Sequence, residues 1–143
     1  MNKTEIKNLK YGKPTEKHLE KMQREVDLIH ADADQIDIPP PPSNDSKRSR
    51  SEIIQIAKAL KSNDYKTMQI IDRADTAILE MFISFANENG LRYDRDYLEE
   101  VSKQLQPLIL RLKYRFNRPR PYQLAKALGF EIDRIEKESA STP

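Results

Sequence analysis

Residues 110–126 read LRLKYRFNRPRPYQLAK, and the spacing of their cations and prolines organises the rest of the chain. Arg111, Lys113, Arg115, Arg118, Arg120 and Lys126 fall in this stretch, and no Asp or Glu occurs between Glu100 and Glu131. Cations this close repel one another, and an anion lodged among them relieves the repulsion. Pro119 stops any helix arriving from upstream, and Pro121 suits the first position of a new one. The stretch therefore predicts a helix, a stiff corner, and a short second helix over YQLAKALG closed by Gly129.

Upstream, Leu98, Val101, Leu105, Leu108 and Leu112 fall in line, so the incoming helix starts at Asp94 or Asp96, with Pro107 as an expected kink. Before it, Met68, Ile71, Ala74, Ile78, Met81, Phe82 and Phe85 give the wide stripe of a core-facing helix. Asn63 or Asp64 is its expected cap, and Asn89-Gly90 its end. Ile53, Ile54, Ala57 and Leu60 mark another helix from near Ser51. Residues 130–135 alternate apolar and polar and predict an extended segment. The expected fold is all-α, a bundle of four to five helices with the longest two antiparallel across Gly90.

Residues 1–45 read as an extended N-terminal arm outside this core, and 46–143 as the helical domain. Thr15 caps a helix carrying Leu19, Met22, Val26 and Ile29 at three- and four-residue steps. His18 and His30 flank that stripe as ordinary surface histidines. The alternating Asp32, Asp34 and Asp37 lack the glycine and terminal glutamate of a calcium loop, so no metal site is expected. Four consecutive prolines, 39–42, form a polyproline spacer. Lys47, Arg48 and Arg50 in the polar loop that follows read as a solvated cluster.

The whole chain has 143 residues, 34% of them charged and 37% hydrophobic, enough for one domain with part of the chain outside the core. Its net charge of +2 says nothing of partners; only the local basic run does. With no cysteine there is no disulfide or thiolate chemistry, and two histidines make a poor zinc set. No apolar run reaches the roughly 18 residues of a membrane span. A signal-peptide core is also missing. The expectation is a cytoplasmic protein, or one within a soluble assembly, without membrane contact.

Lys113 is followed by six residues and then Arg120-Pro121, with Tyr122 next. This spacing resembles the first signature of the superfamily of class A acid phosphatases, type 2 phosphatidic acid phosphatases and vanadium-dependent haloperoxidases. The resemblance implies that Lys113 and Arg120 bind phosphate or vanadate, the lysine as a point charge and the arginine as a fork. Arg111 with Arg118-Pro119 repeats the spacing as a rival register, and Arg111, Arg118 and Tyr122 are auxiliary candidates. The superfamily's Pro-Ser-Gly-His signature and its histidine-bearing signature do not occur. The closing run SASTP, residues 139–143, resembles what precedes Pro-Ser-Gly-His, so the chain looks like a family member cut before its second motif.

What the resemblance implies is a phosphatase-like helical protein, phosphomonoester hydrolysis being the family's chemistry, with phosphate or a phosphomonoester as ligand. No catalytic residue is expected in this chain, because the nucleophilic histidine motif is missing. No cofactor is expected beyond a bound phosphate or vanadate. The alternative is a non-catalytic structural or assembly subunit, for example a virion protein, gripping protein partners through its N-terminal arm. Nucleic-acid binding through Tyr114, Phe116 and Tyr122, interleaved with the basic residues, ranks third.

Overall fold

The computed structural model describes residues 1–62 and 65–132. Among them the chain is all-helical, with seven helices and no strand. They are α1 (Lys3–Lys7), α2 (Glu16–Met22), α3 (Lys47–Ser62), α4 (Tyr65–Thr76), α5 (Ile78–Glu88), α6 (Arg95–Phe116) and α7 (Pro121–Leu128). No helix among the described residues is long and apolar enough to cross a membrane.

The longest helix, α6, carries the basic run. The Asp94 carboxylate accepts the Tyr97 N–H at 3.1 Å and so caps its first turn. The helix continues through Pro107, which is buried within it. It ends at Asn117, whose φ of 46° places it in the left-handed region that asparagine tolerates. Pro121 then opens α7, and Gly129, at φ 79°, closes it. Phe130 N–H returns to Ala125 O at 2.9 Å, folding the chain back over the helix end.

The core is small. Ile53 of α3 packs with Leu124 and Ala125 of α7, and Ile6, Leu9, Leu128, Phe130 and Ile132 close around them. This corrects the expectation that residues 1–45 stand outside the core, since Ile6 and Leu9 are part of it. The Asn44 amide ties the same segment down by donating to Ile6 O, Lys7 O and Leu9 O at 2.8–3.3 Å. Ala33 is buried too.

Two helices are shorter than the periodicity predicts. The helix expected over Leu19 to Ile29 stops at Met22, because side chains of α6 take the backbone away from it. Arg111 donates to Met22 O from Nη2 at 2.7 Å and from Nε at 3.2 Å. Gln104 Oε1 accepts the N–H groups of Asp27 and Leu28 at 3.0 and 2.7 Å. The long helix expected from Met68 to Phe85 is two helices, broken at Ala77 with φ −142° and ψ 41°. Just before the break, Thr76 Oγ1 donates to Asp72 O at 2.7 Å, a back-bond that bends helices. Helix α3 starts earlier than Ser51, at Lys47, where the Ser46 hydroxyl accepts the Ser49 N–H at 3.1 Å. The expected caps Asn63 and Asp64 lie outside the described residues, as does 133–135 of the expected extended segment; 130–132 form no strand.

Candidate anion-binding cleft

The corner between α6 and α7 is where the cations meet. Lys113 lies one turn before the end of α6, and Arg120 immediately precedes α7. Asn117 turns the chain between them, and its backbone and side chain catch the N-terminal arm. Its carbonyl accepts the Tyr11 N–H, and its Oδ1 accepts the Gly12 N–H, both at 3.1 Å. Gln123 of α7 donates from Nε2 to Tyr11 O at 3.0 Å while its Oε1 accepts the Arg120 N–H at 2.8 Å. Tyr11 is thus held by the same two residues that shape the corner.

The Tyr11 ring lies against both cations. Lys113 Nζ is 4.2 Å from the ring centre and Arg120 Cζ is 5.5 Å from it. These are cation–π distances, with the negative face of the ring toward the charge. Tyr114 adds a second ring, 5.8 Å from Lys113 Nζ. The Lys113 ammonium is buried and, among the described residues, has no hydrogen-bond partner.

An open cleft of about 370 Å³ adjoins these groups. It is lined by Tyr11, Lys113, Phe116, Arg118 and Arg120 together with Ile38, Pro39 and Pro41 of the proline segment. Among the described residues, no carboxylate, imidazole or thiol lines it. The proline segment, expected as a spacer, is therefore a wall. Arg115 holds it in place by donating to Ala33 O at 2.5 Å and to Ile36 O at 3.1 Å.

The structure brings Lys113 and Arg120 to one cleft and distributes the remaining candidates differently. Arg111 is spent on the C-terminus of α2. Arg118 reaches the cleft rim but pairs with Glu52 of α3 at 2.6 Å, and that bond holds the Glu52 carboxyl below its usual range. The rival register is therefore divided between two structural duties. Tyr122 is half-buried on α7 and is not part of the lining.

His18 is not an isolated surface residue. Its Nδ1 lies 2.6 Å from the Tyr114 hydroxyl, with the two rings 5.7 Å apart. Burial, and then the nearby Lys113 ammonium, lower the His18 pKa below its ordinary value. Burial, and then Tyr11, raise that of Tyr114. His18 thus buttresses a ring that shelters Lys113, from outside the cleft.

Tyr11, Ile38, Pro39 and Pro41 were not apparent as site residues from the sequence, and Phe116 was named only for nucleic-acid binding. The one local hint was an aromatic beside a glycine in an otherwise polar segment, Tyr11-Gly12. Comparison with family models, curated proteins and solved structures finds no match to this chain. Fold and cleft together define a small all-α protein with a cationic, aromatic-walled recess.

Proposed function

We propose that this is a phosphatase-like helical protein whose cleft binds phosphate or a phosphomonoester, with Lys113 and Arg120 contacting the anion. One observation carries the reading: among the described residues, a buried lysine ammonium without a hydrogen-bond partner stands beside Arg120, at a cleft whose described lining holds no acid. A charged group in that position is stabilised by a counter-charge, and an oxyanion supplies both charge and acceptors. Arg120 contributes a planar fork suited to phosphate geometry. The spacing of the two residues agrees with the resemblance to the acid phosphatase superfamily. The described lining offers groups suited to holding an oxyanion, and binding is the function we assign to this cleft.

Calorimetric titration with inorganic phosphate or vanadate tests it. The full chain binds each anion, and Lys113→Met and Arg120→Ala each remove most of the heat. Lys126→Ala, the same charge change at an exposed position on α7, leaves it unaltered. Equal losses in all three variants would reduce the effect to net charge and sink the proposal.

A structural or assembly role is the second reading, favoured by the outer face of α5. Ile78, Phe82 and Phe85 recur there at helical spacing and are 48%, 62% and 58% exposed. The adjoining flank buries Ile83 and Ala86, so the apolar surface of α5 is wider than its buried part. A stripe of this kind marks contact with another protein surface. With a second copy as the simplest occupant, sedimentation of the wild-type chain shows a dimer and Phe82→Glu shows a monomer.

A further inference from the structure

The cleft is larger than an oxyanion needs. Its 370 Å³ exceeds by roughly tenfold the ~30 Å³ share of one water in the liquid, and falls among pockets that hold organic ligands. Its lining also combines two chemistries. Lys113 and Arg120 meet at the Tyr11 ring, while Ile38, Pro39, Pro41 and Phe116 supply an apolar surface. Bare phosphate would use the cations and leave the apolar surface wet.

We propose, building on the anion-binding reading, that the cleft takes a phosphate monoester whose organic group is flat and apolar. The phosphate sits with Lys113 and Arg120, and the ring lies between Phe116 and the Ile38–Pro39–Pro41 wall. Three features of that wall favour a flat apolar group over a polyol. Proline has no N–H, so Pro39 and Pro41 give hydroxyl groups no backbone donor. The fixed proline φ and the grip of Arg115 on Ala33 O and Ile36 O make the wall stiff, as packing against a rigid ring requires. Two other lining residues are themselves rings, Tyr11 and Phe116, which pair favourably with aromatic groups in offset or edge-on arrangements.

The test is a ligand series on the full wild-type chain, read by calorimetry. Phenyl phosphate should bind at least tenfold tighter than inorganic phosphate or glycerol phosphate, with butyl phosphate between. Phenol, which lacks the anion, should not bind measurably. Phe116→Ala and Ile38→Ser, each checked for retained helicity, should bring phenyl phosphate down to the inorganic phosphate level without weakening inorganic phosphate. Equal affinity for phenyl phosphate, glycerol phosphate and inorganic phosphate would overturn the inference and leave the anion site standing. Butyl phosphate binding as tightly as phenyl phosphate would overturn the aromatic assignment, and phenol binding as tightly would remove the role of the cations. Absence of binding by every phosphate compound would defeat the anion-binding reading itself, and with it this one.

Discussion

The Lys113 ammonium rests 4.2 Å from the centre of the Tyr11 ring, so a residue of the N-terminal arm completes the environment of a cation on α6. The contact joins two segments far apart in sequence and depends on Asn117 and Gln123, which hold Tyr11 by its backbone. Arm and site are thus one unit. Losing the arm would leave Lys113 with different surroundings even if α6 were intact.

Substitutions at this pair separate stability from binding. Replacing Tyr11 by Ala removes the cation–π contact and should lower stability by about 1–2 kcal/mol, the range for a partly desolvated pair. Tyr11→Phe keeps the ring face and should lose little. Lys113→Met removes a buried charge without a hydrogen-bond partner and should leave stability unchanged or raised, while phosphate binding falls. Urea unfolding of the three variants checks this. A large loss of stability in Lys113→Met would mean that the ammonium has a partner in solution.

Loosening the arm should be visible without changing the helices. Arg115 touches Ala33 O and Ile36 O, and hydrogen bonds from an exposed charged donor contribute roughly 1 kcal/mol each. Arg115→Ala should therefore speed proteolytic cutting within residues 32–43 several-fold, with the far-ultraviolet circular dichroism spectrum retained. The same variant should bind phenyl phosphate less tightly, since the proline wall is no longer held. Unaltered cutting rates would show that the prolines and Asn44 fix the segment unaided.

The helix–corner–helix around the basic run was legible because its signals are local. Asp94 caps, Pro119 and Pro121 punctuate, and Gly129 closes, each within a few residues of the element it bounds. The end of α2 was not legible, because Arg111 and Gln104 act on it from 76 to 89 positions away. Nor was the break at Ala77, where a single Thr76 back-bond interrupts a continuous stripe. The cleft was half legible for the same reason. Its cations share one motif, whereas Tyr11 and the Ile38–Pro41 wall reach it only through tertiary contacts. Four prolines read as a rod in either case; that the rod lies along a cation pair depends on Arg115.

Stability should fall with acid in a window set by His18. Its folded pKa lies below the ordinary 6.5, so the unfolded chain takes up the proton first. The unfolded state binds more protons in that window, and stability therefore rises with pH there. It is fully present above about 6.5 and is lost as pH falls below that value toward the folded pKa. His18→Gln should flatten this part of the profile. Glu52 and Glu80, held below the ordinary 4.5 by hydrogen bonds from Arg118 and Arg95, lose their contribution only at lower pH. Proton NMR should show His18 titrating below 6.5; a midpoint above 6.5 would reverse the sign of the effect.

The last prediction separates binding from turnover. The chain should bind phosphate compounds without hydrolysing p-nitrophenyl phosphate. Lys113 and Arg120 can hold an oxyanion, but a protonated ammonium or guanidinium has no lone pair with which to attack phosphorus. Among the described residues, the rest of the cleft lining is Tyr11, Ile38, Pro39, Pro41, Phe116 and Arg118, none of them an imidazole, thiol or carboxylate. His18 is the near imidazole, and its Nδ1 is engaged with the Tyr114 hydroxyl at 2.6 Å, outside the cleft lining. Two cations in an open cleft should bind inorganic phosphate at about the millimolar level, ~4 kcal/mol, because ion pairs near water contribute little each. Arg120→Ala should weaken that binding by roughly tenfold, the ~1.4 kcal/mol expected of a charge-assisted contact. Phosphatase activity that survives purification and disappears in His18→Ala would refute this account and make His18 the nucleophile, which would require it to leave Tyr114 and enter the cleft.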